Sequence, residues 1–132
     1  MALFRNVHTL LSVAEATDEG VTGEKKRIVP NDGDGVPDNA QAFRVFFDLS
    51  QEGGADTPTT DAVLETSHDG TAWVQAAKAT QLTTNADGHE LVEAAALGPW
   101  VRARTTLGGG TPPDHKATVV LASSAPFRLS NK

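Results

Sequence analysis

The most constraining stretch of this 132-residue chain runs from Asp61 to Leu107, where β-like runs flank an Asp-Gly step. Val63-Leu64-Glu65-Thr66-Ser67 leads into His68-Asp69-Gly70, and Thr71-Ala72-Trp73 leads out. Asp-Gly between such runs predicts a hairpin, because Gly70 takes a positive φ without steric cost. Two loop lengths compete. With Asp69-Gly70 alone as the turn, Leu64 faces Gln75; with a three-residue His68-Asp69-Gly70 loop it faces Val74, and this second register is the one expected. Trp100-Val101-Arg102-Ala103-Arg104 supplies a partner strand, its Val101, Ala103 and Thr105 on one face and Trp100, Arg102 and Arg104 on the other.

The rest of the chain repeats this pattern. Gln41 to Ser50 is the clearest strand, with Phe43, Val45, Phe47 and Leu49 directed at a core and Arg44 and Asp48 outward. Phe46 breaks the polar side, so it is either covered by another element or part of a contact surface. Lys116 to Ala122 alternates likewise, with Ala117, Val119 and Leu121 inward, and short runs at Arg27 to Val29, Glu90 to Glu93 and Pro126 to Leu129 add further strands. Met1 to Ala16 is ambiguous. Leu3, Phe4, Val7, Leu10, Leu11 and Ala14 fit a helical period, while Val7, Thr9, Leu11 and Val13 fit a strand or extended arm, the preferred reading among β-like surroundings. Thr17 to Lys26 reads as a polar flexible loop, and Gln51 to Thr60 and Gly108 to Pro113 as surface connections.

Seven or eight β segments without a domain-splitting linker predict a single all-β domain over residues 1–132, an antiparallel β-sandwich or jelly roll with an N-terminal arm. Residues 1–26 form the arm and loop in this reading, and 27–129 the sandwich core.

Composition narrows the function classes. The chain has no cysteine, which removes disulfides, Cys-ligated zinc, iron–sulfur clusters and thiol nucleophiles. A net charge of −6 gives no electrostatic support for nucleic acid as a partner, and no apolar run reaches the roughly 20 residues that span a bilayer, so no membrane partner is expected.

Asp32-Gly33-Asp34-Gly35-Val36-Pro37-Asp38 resembles a calcium loop, with Asp32, Asp34 and Asp38 as its ligands. Pro30 stands where a first acidic ligand belongs and Gln41 where a bidentate carboxylate would close the site, so an exposed acidic turn is the simpler reading. No other cofactor is expected. His8, His68, His89 and His115 lie in separate segments without metal-site spacing and suit surface or turn roles. Ser67-His68-Asp69 places triad residue types side by side, but neighbours on a strand end point apart and form no relay. Asp48, Glu65 and Glu93 read as solvent-facing strand positions, so no hydrolase, and no enzyme, is indicated. Trp73 and Trp100 admit a sugar platform with Arg102 and Arg104 beside it, yet packing over a sheet or a place in a subunit interface serves equally. The interface candidates are Leu3, Phe4, Val7, Phe46, Trp100, Arg102 and Arg104.

Ser67-His68-Asp69-Gly70-Thr71-Ala72-Trp73, followed by Gly98-Pro99-Trp100-Val101-Arg102-Ala103-Arg104-Thr105, resembles a pattern of β-sandwich proteins in tailed-phage virions, and is similar to discoidin-like, galactose-binding jelly rolls. The resemblance covers Ala42 to Leu121. It implies a virion structural protein assembled in the host cytoplasm, decorating or stabilising the capsid as a homo-oligomer on the particle. Its partner would be the major capsid protein or another virion subunit. A head–tail or tail component is the next reading, and a carbohydrate- or protein-binding jelly-roll module the alternative from another class. The segment Ala2 to Val13 and the loops Gln51 to Thr60 and Gly108 to Pro113 are the expected contacts.

Overall fold

A computed structural model describes residues 6–30, 42–94 and 96–132, and among these residues the chain forms nine strands and no helix. In chain order they are β1 (Asn6–Thr17), β2 (Lys26–Pro30), β3 (Phe43–Glu52), β4 (Thr59–Ser67), β5 (Val74–Lys78), β6 (Asp87–Glu93), β7 (Trp100–Gly108), β8 (Asp114–Ser123) and β9 (Phe127–Ser130). Two antiparallel sheets result, one ordered β1-β8-β3-β6 and the other β5-β4-β7-β2-β9. The pairs β1–β8, β2–β7, β3–β6 and β4–β5 are nested, as if one long hairpin had been rolled up. That is a jelly roll, with β9 added beside β2.

Strand alternation builds the core. Phe43, Val45, Phe47 and Leu49 of β3 and Ala117, Val119 and Leu121 of β8 are buried against Ala62 and Leu64 of β4, Val101 and Ala103 of β7 and Ile28 of β2. Each such large side chain contributes about 1.5–3 kcal/mol by leaving water. A β-bulge between Thr9 and Leu11 buries both Leu10 and Leu11, which is why the first segment shows helical and strand periods at once.

Several expectations change. From Asn6 onward the first segment takes the strand form of its two extended readings and, in place of an arm, is an edge strand of the first sheet along β8. Val21 to Gly23 is no flexible loop either. Thr22 bridges Arg104, Gly23 N donates to Ala103 O at 2.8 Å and Thr105 N donates to Val21 O at 2.8 Å. Gly20 and Gly23 permit this closeness, since a Cβ on either would lie 2.7 Å from Thr105 O or 2.9 Å from Leu10 O.

The β4–β5 hairpin is wider than a three-residue loop. Thr66, not Leu64, stands opposite Val74, and Leu64 stands opposite Ala77 across a bulge. The cause is side-chain capping: Ser67 Oγ accepts from Gly70 N at 2.9 Å, and Asp69 Oδ1 accepts from Thr71 N at 2.8 Å and Ala72 N at 3.0 Å. Gly70 does take its positive φ, at 80°. His115 is also corrected from a surface role, being only 1% exposed. The inward phase of β8 carries it into the core, where Nδ1 donates to Thr17 O at 2.9 Å and Nε2 accepts from Thr105 Oγ1 at 2.9 Å.

Candidate functional site

The outer face of the first sheet is assembled from four strands distant in sequence. Register sets three rows across it: Val7–Ala122–Arg44–Glu93, Thr9–Val120–Phe46–Leu91 and Ser12–Thr118–Asp48–His89. The middle row is the apolar one. Phe46 is 38% exposed and Leu91 46%, and Val7 at the corner of the patch is 51% exposed. Phe46 and Leu91 are direct cross-strand neighbours and form an apolar patch, which scattered single side chains do not, while Val7 lies two strands from Phe46 on the other edge of the same face. Polar pairs flank the row on both sides. Arg44 Nη2 lies 3.4 Å from Glu93 Oε1, and His89 Nδ1 lies 2.7 Å from Asp48 Oδ1.

The outer face of the second sheet is closed by its own side chains. Register places Glu65 opposite Arg102 and Val63 opposite Arg104. Glu65 is therefore no solvent-facing carboxylate: it is 8% exposed, and it accepts from Arg102 Nε at 2.9 Å and Arg104 Nε at 3.3 Å. Burial raises its pKa, but the hydrogen bonds and charges of Arg104 and Arg102 outweigh burial and hold the carboxyl below its ordinary value. The Arg102 guanidinium also lies over the Trp73 ring, 4.3 Å from its centroid. Trp100 is engaged as well, with Lys25 Nζ 5.2 Å from its ring centroid and Gly70 against the indole.

At one end of the sandwich the two expected contact loops meet. Ala55 bridges Thr111 and Gly110 N donates to Asp56 O at 3.1 Å. Asp56 and Thr57 are held at φ of 58° and 57°, a conformation unfavourable for a β-branched residue. Beneath, Gln51 is buried and accepts from Thr60 Oγ1 at 2.6 Å, so this connection is anchored in place of lying loosely on the surface.

Of the sequence-predicted site residues, Val7 and Phe46 fall together on the open face, while Trp100, Arg102 and Arg104 fall on the closed one. Leu3, Phe4, Asp32, Asp34 and Asp38 lie outside the described residues. Among the described residues no group of three or more His, Asp or Glu side chains is placed to hold a metal. Ser67 Oγ donates to Asp69 Oδ1 at 3.0 Å, a turn-capping contact. Sequence reading missed Leu91 and Val120. Their signal was present as apolar residues breaking the polar phase of Glu90 to Glu93 and Thr118 to Ala122, though only the register joins them to Phe46. An apolar cleft of about 240 Å³ opens between β5 and β6, lined by Phe47, Leu49, Ala79 and Leu82. Glu90 spans Thr80 at that edge, accepting from its N at 2.7 Å and its Oγ1 at 3.1 Å.

No family model matches the chain, and neither a curated protein nor a solved structure matches it.

Proposed function

We propose that this chain is a non-enzymatic structural protein of a tailed-phage virion, where it decorates and stabilises the capsid through repeated contacts with shell subunits and with its own copies. The observation that carries this reading is the apolar Val120–Phe46–Leu91 row on a sheet face, framed by the Arg44–Glu93 and Asp48–His89 pairs. Such a surface suits burial in an assembly. The jelly roll adds fold-level analogy alone, since that architecture serves capsid subunits and lectins alike. The loop pair around Asp56 and Gly110 lies at the sandwich end, away from the row, which leaves a single copy room for two neighbours.

The mechanism is mass action. A protein that binds only the assembled shell lowers its free energy in proportion to occupancy, and many weak contacts held together become firm. The test is quantitative peptide mass spectrometry on purified particles, counting copies against the most abundant shell protein. Near-stoichiometric copies are expected. A handful of copies would move the protein to the head–tail junction or tail, and absence from particles would remove the virion reading.

A further inference from the structure

We propose that the partner of the open face is a second copy of this chain, packed face to face about a two-fold axis lying along the Val120–Phe46–Leu91 row. The inference rests on the reading of this face as a contact surface and names its occupant. A symmetric dimer needs a self-complementary patch, in which whatever lies on one side of the axis fits what lies on the other. This face has that property. Arg44 and Glu93 lie one row to one side of the axis, and Asp48 and His89 one row to the other, on the same two strands. Rotation about the row sets Arg44 of one copy over Asp48 of the second, and Glu93 over His89. The apolar row meets itself, Phe46 against Phe46 and Leu91 against Leu91.

The competing two-fold, parallel to the strands, exchanges columns in place of rows. It sets Glu93 over the half-exposed Val7 and takes Arg44 away from any carboxylate of the second copy, since Ala122 beneath it is buried within its own chain, so a charge is withdrawn from water against an apolar partner. Charge complementarity therefore selects the first axis. Sheets packed face to face lie about 10 Å apart with strands about 30° from alignment, so the central rows make the contact. Four strands spaced about 4.8 Å apart and about seven residues long cover on the order of 400 Å² per copy. That is about half of the roughly 800 Å² that each partner gives to a standard interface, so the dimer is weak in solution and firm only where copies are held together.

The test is sedimentation equilibrium on the full chain up to about 1 mM, where even an association as weak as about 4 kcal/mol is visible. The native chain is expected to dimerise. Phe46→Asp, Arg44→Glu and Asp48→Arg are each expected to weaken dimerisation roughly tenfold or more, through a buried charge in the first and like-charge contacts in the others. Mixing the Arg44→Glu and Asp48→Arg chains restores both cross-axis contacts, so the mixture is expected to form a heterodimer while each alone stays monomeric. Circular dichroism confirms that each variant is folded. A native chain monomeric at all concentrations, a dimer indifferent to Phe46→Asp, or a mixture that fails to recover overturns the proposal. Particle loading is read separately. A monomeric chain that still loads fully onto particles overturns this inference and leaves the virion reading standing; a dimer absent from particles does the reverse.

Discussion

The two outer faces of this sandwich come from the same strand alternation and end in opposite states. On the second sheet, Glu65, Arg102, Arg104 and Trp73 satisfy and cover one another, so the face is complete within one chain. On the first sheet, Val120, Phe46 and Leu91 lie in a row with polar pairs at its sides, and Phe46 and Leu91 are left 38% and 46% exposed. A face closed by its own side chains stabilises the fold, whereas a face left apolar is where a contact with another molecule is to be sought.

Of the two faces, the closed one should respond most to substitution. Glu65→Ala leaves Arg102 and Arg104 facing each other without their shared carboxylate and is expected to cost about 2 kcal/mol, read by urea denaturation. A cost near zero would show that the cluster is decoration. Trp73→Ala removes the surface on which Arg102 stacks and is expected to cost about 1 kcal/mol in the same assay.

Acid should act on the same side of the molecule. The backbone N–H groups of Ala72 and Thr71, with the Ser67 hydroxyl, hold the Asp69 carboxyl down at about 2 from an ordinary 3.8. A depressed carboxyl stabilises the fold above its unfolded pKa, and that contribution is lost as pH falls through the folded value. Melting temperature is therefore expected to drop between about pH 4 and 2 as Asp69 takes up its proton, and Glu65, also held below its ordinary value, adds to the loss in acid. Asp69→Asn should flatten the lower part of the curve; an unchanged slope would remove Asp69 from the account. The smallest effect belongs to the open face. Val7→Thr, at an edge-strand side chain left 51% exposed, is expected to change monomer stability by no more than about 0.5 kcal/mol in the same urea assay, because the β-branched shape is kept and the new hydroxyl stays in water.

Much of the fold was legible because strand periodicity is local. The alternation of Phe43 to Leu49 and of Ala117 to Leu121 named the core faces, and Gly70 marked a left-handed turn. The turn's width was not legible, since it depends on Ser67 and Asp69 side chains capping backbone amides in place of closing a tight loop. Neither was the burial of Glu65 and His115. Glu65 is buried only because β7 brings two arginines opposite it, and His115 only because Thr105 and the Thr17 carbonyl await it. The open face was half visible. Phe46 stood out as an apolar residue on a polar side, but its row draws on β8 and β6, and such pairing is set by topology in place of local pattern.

The most direct test of an open face against a closed one is hydroxyl-radical footprinting of the chain at low and high concentration. Protection rising with concentration at Phe46 and Leu91, with Trp73 unchanged, is the expected result. Protection at Trp73 instead, or no residue-specific change as copies crowd together, would contradict the assignment of the first sheet's outer face as the surface through which this protein assembles.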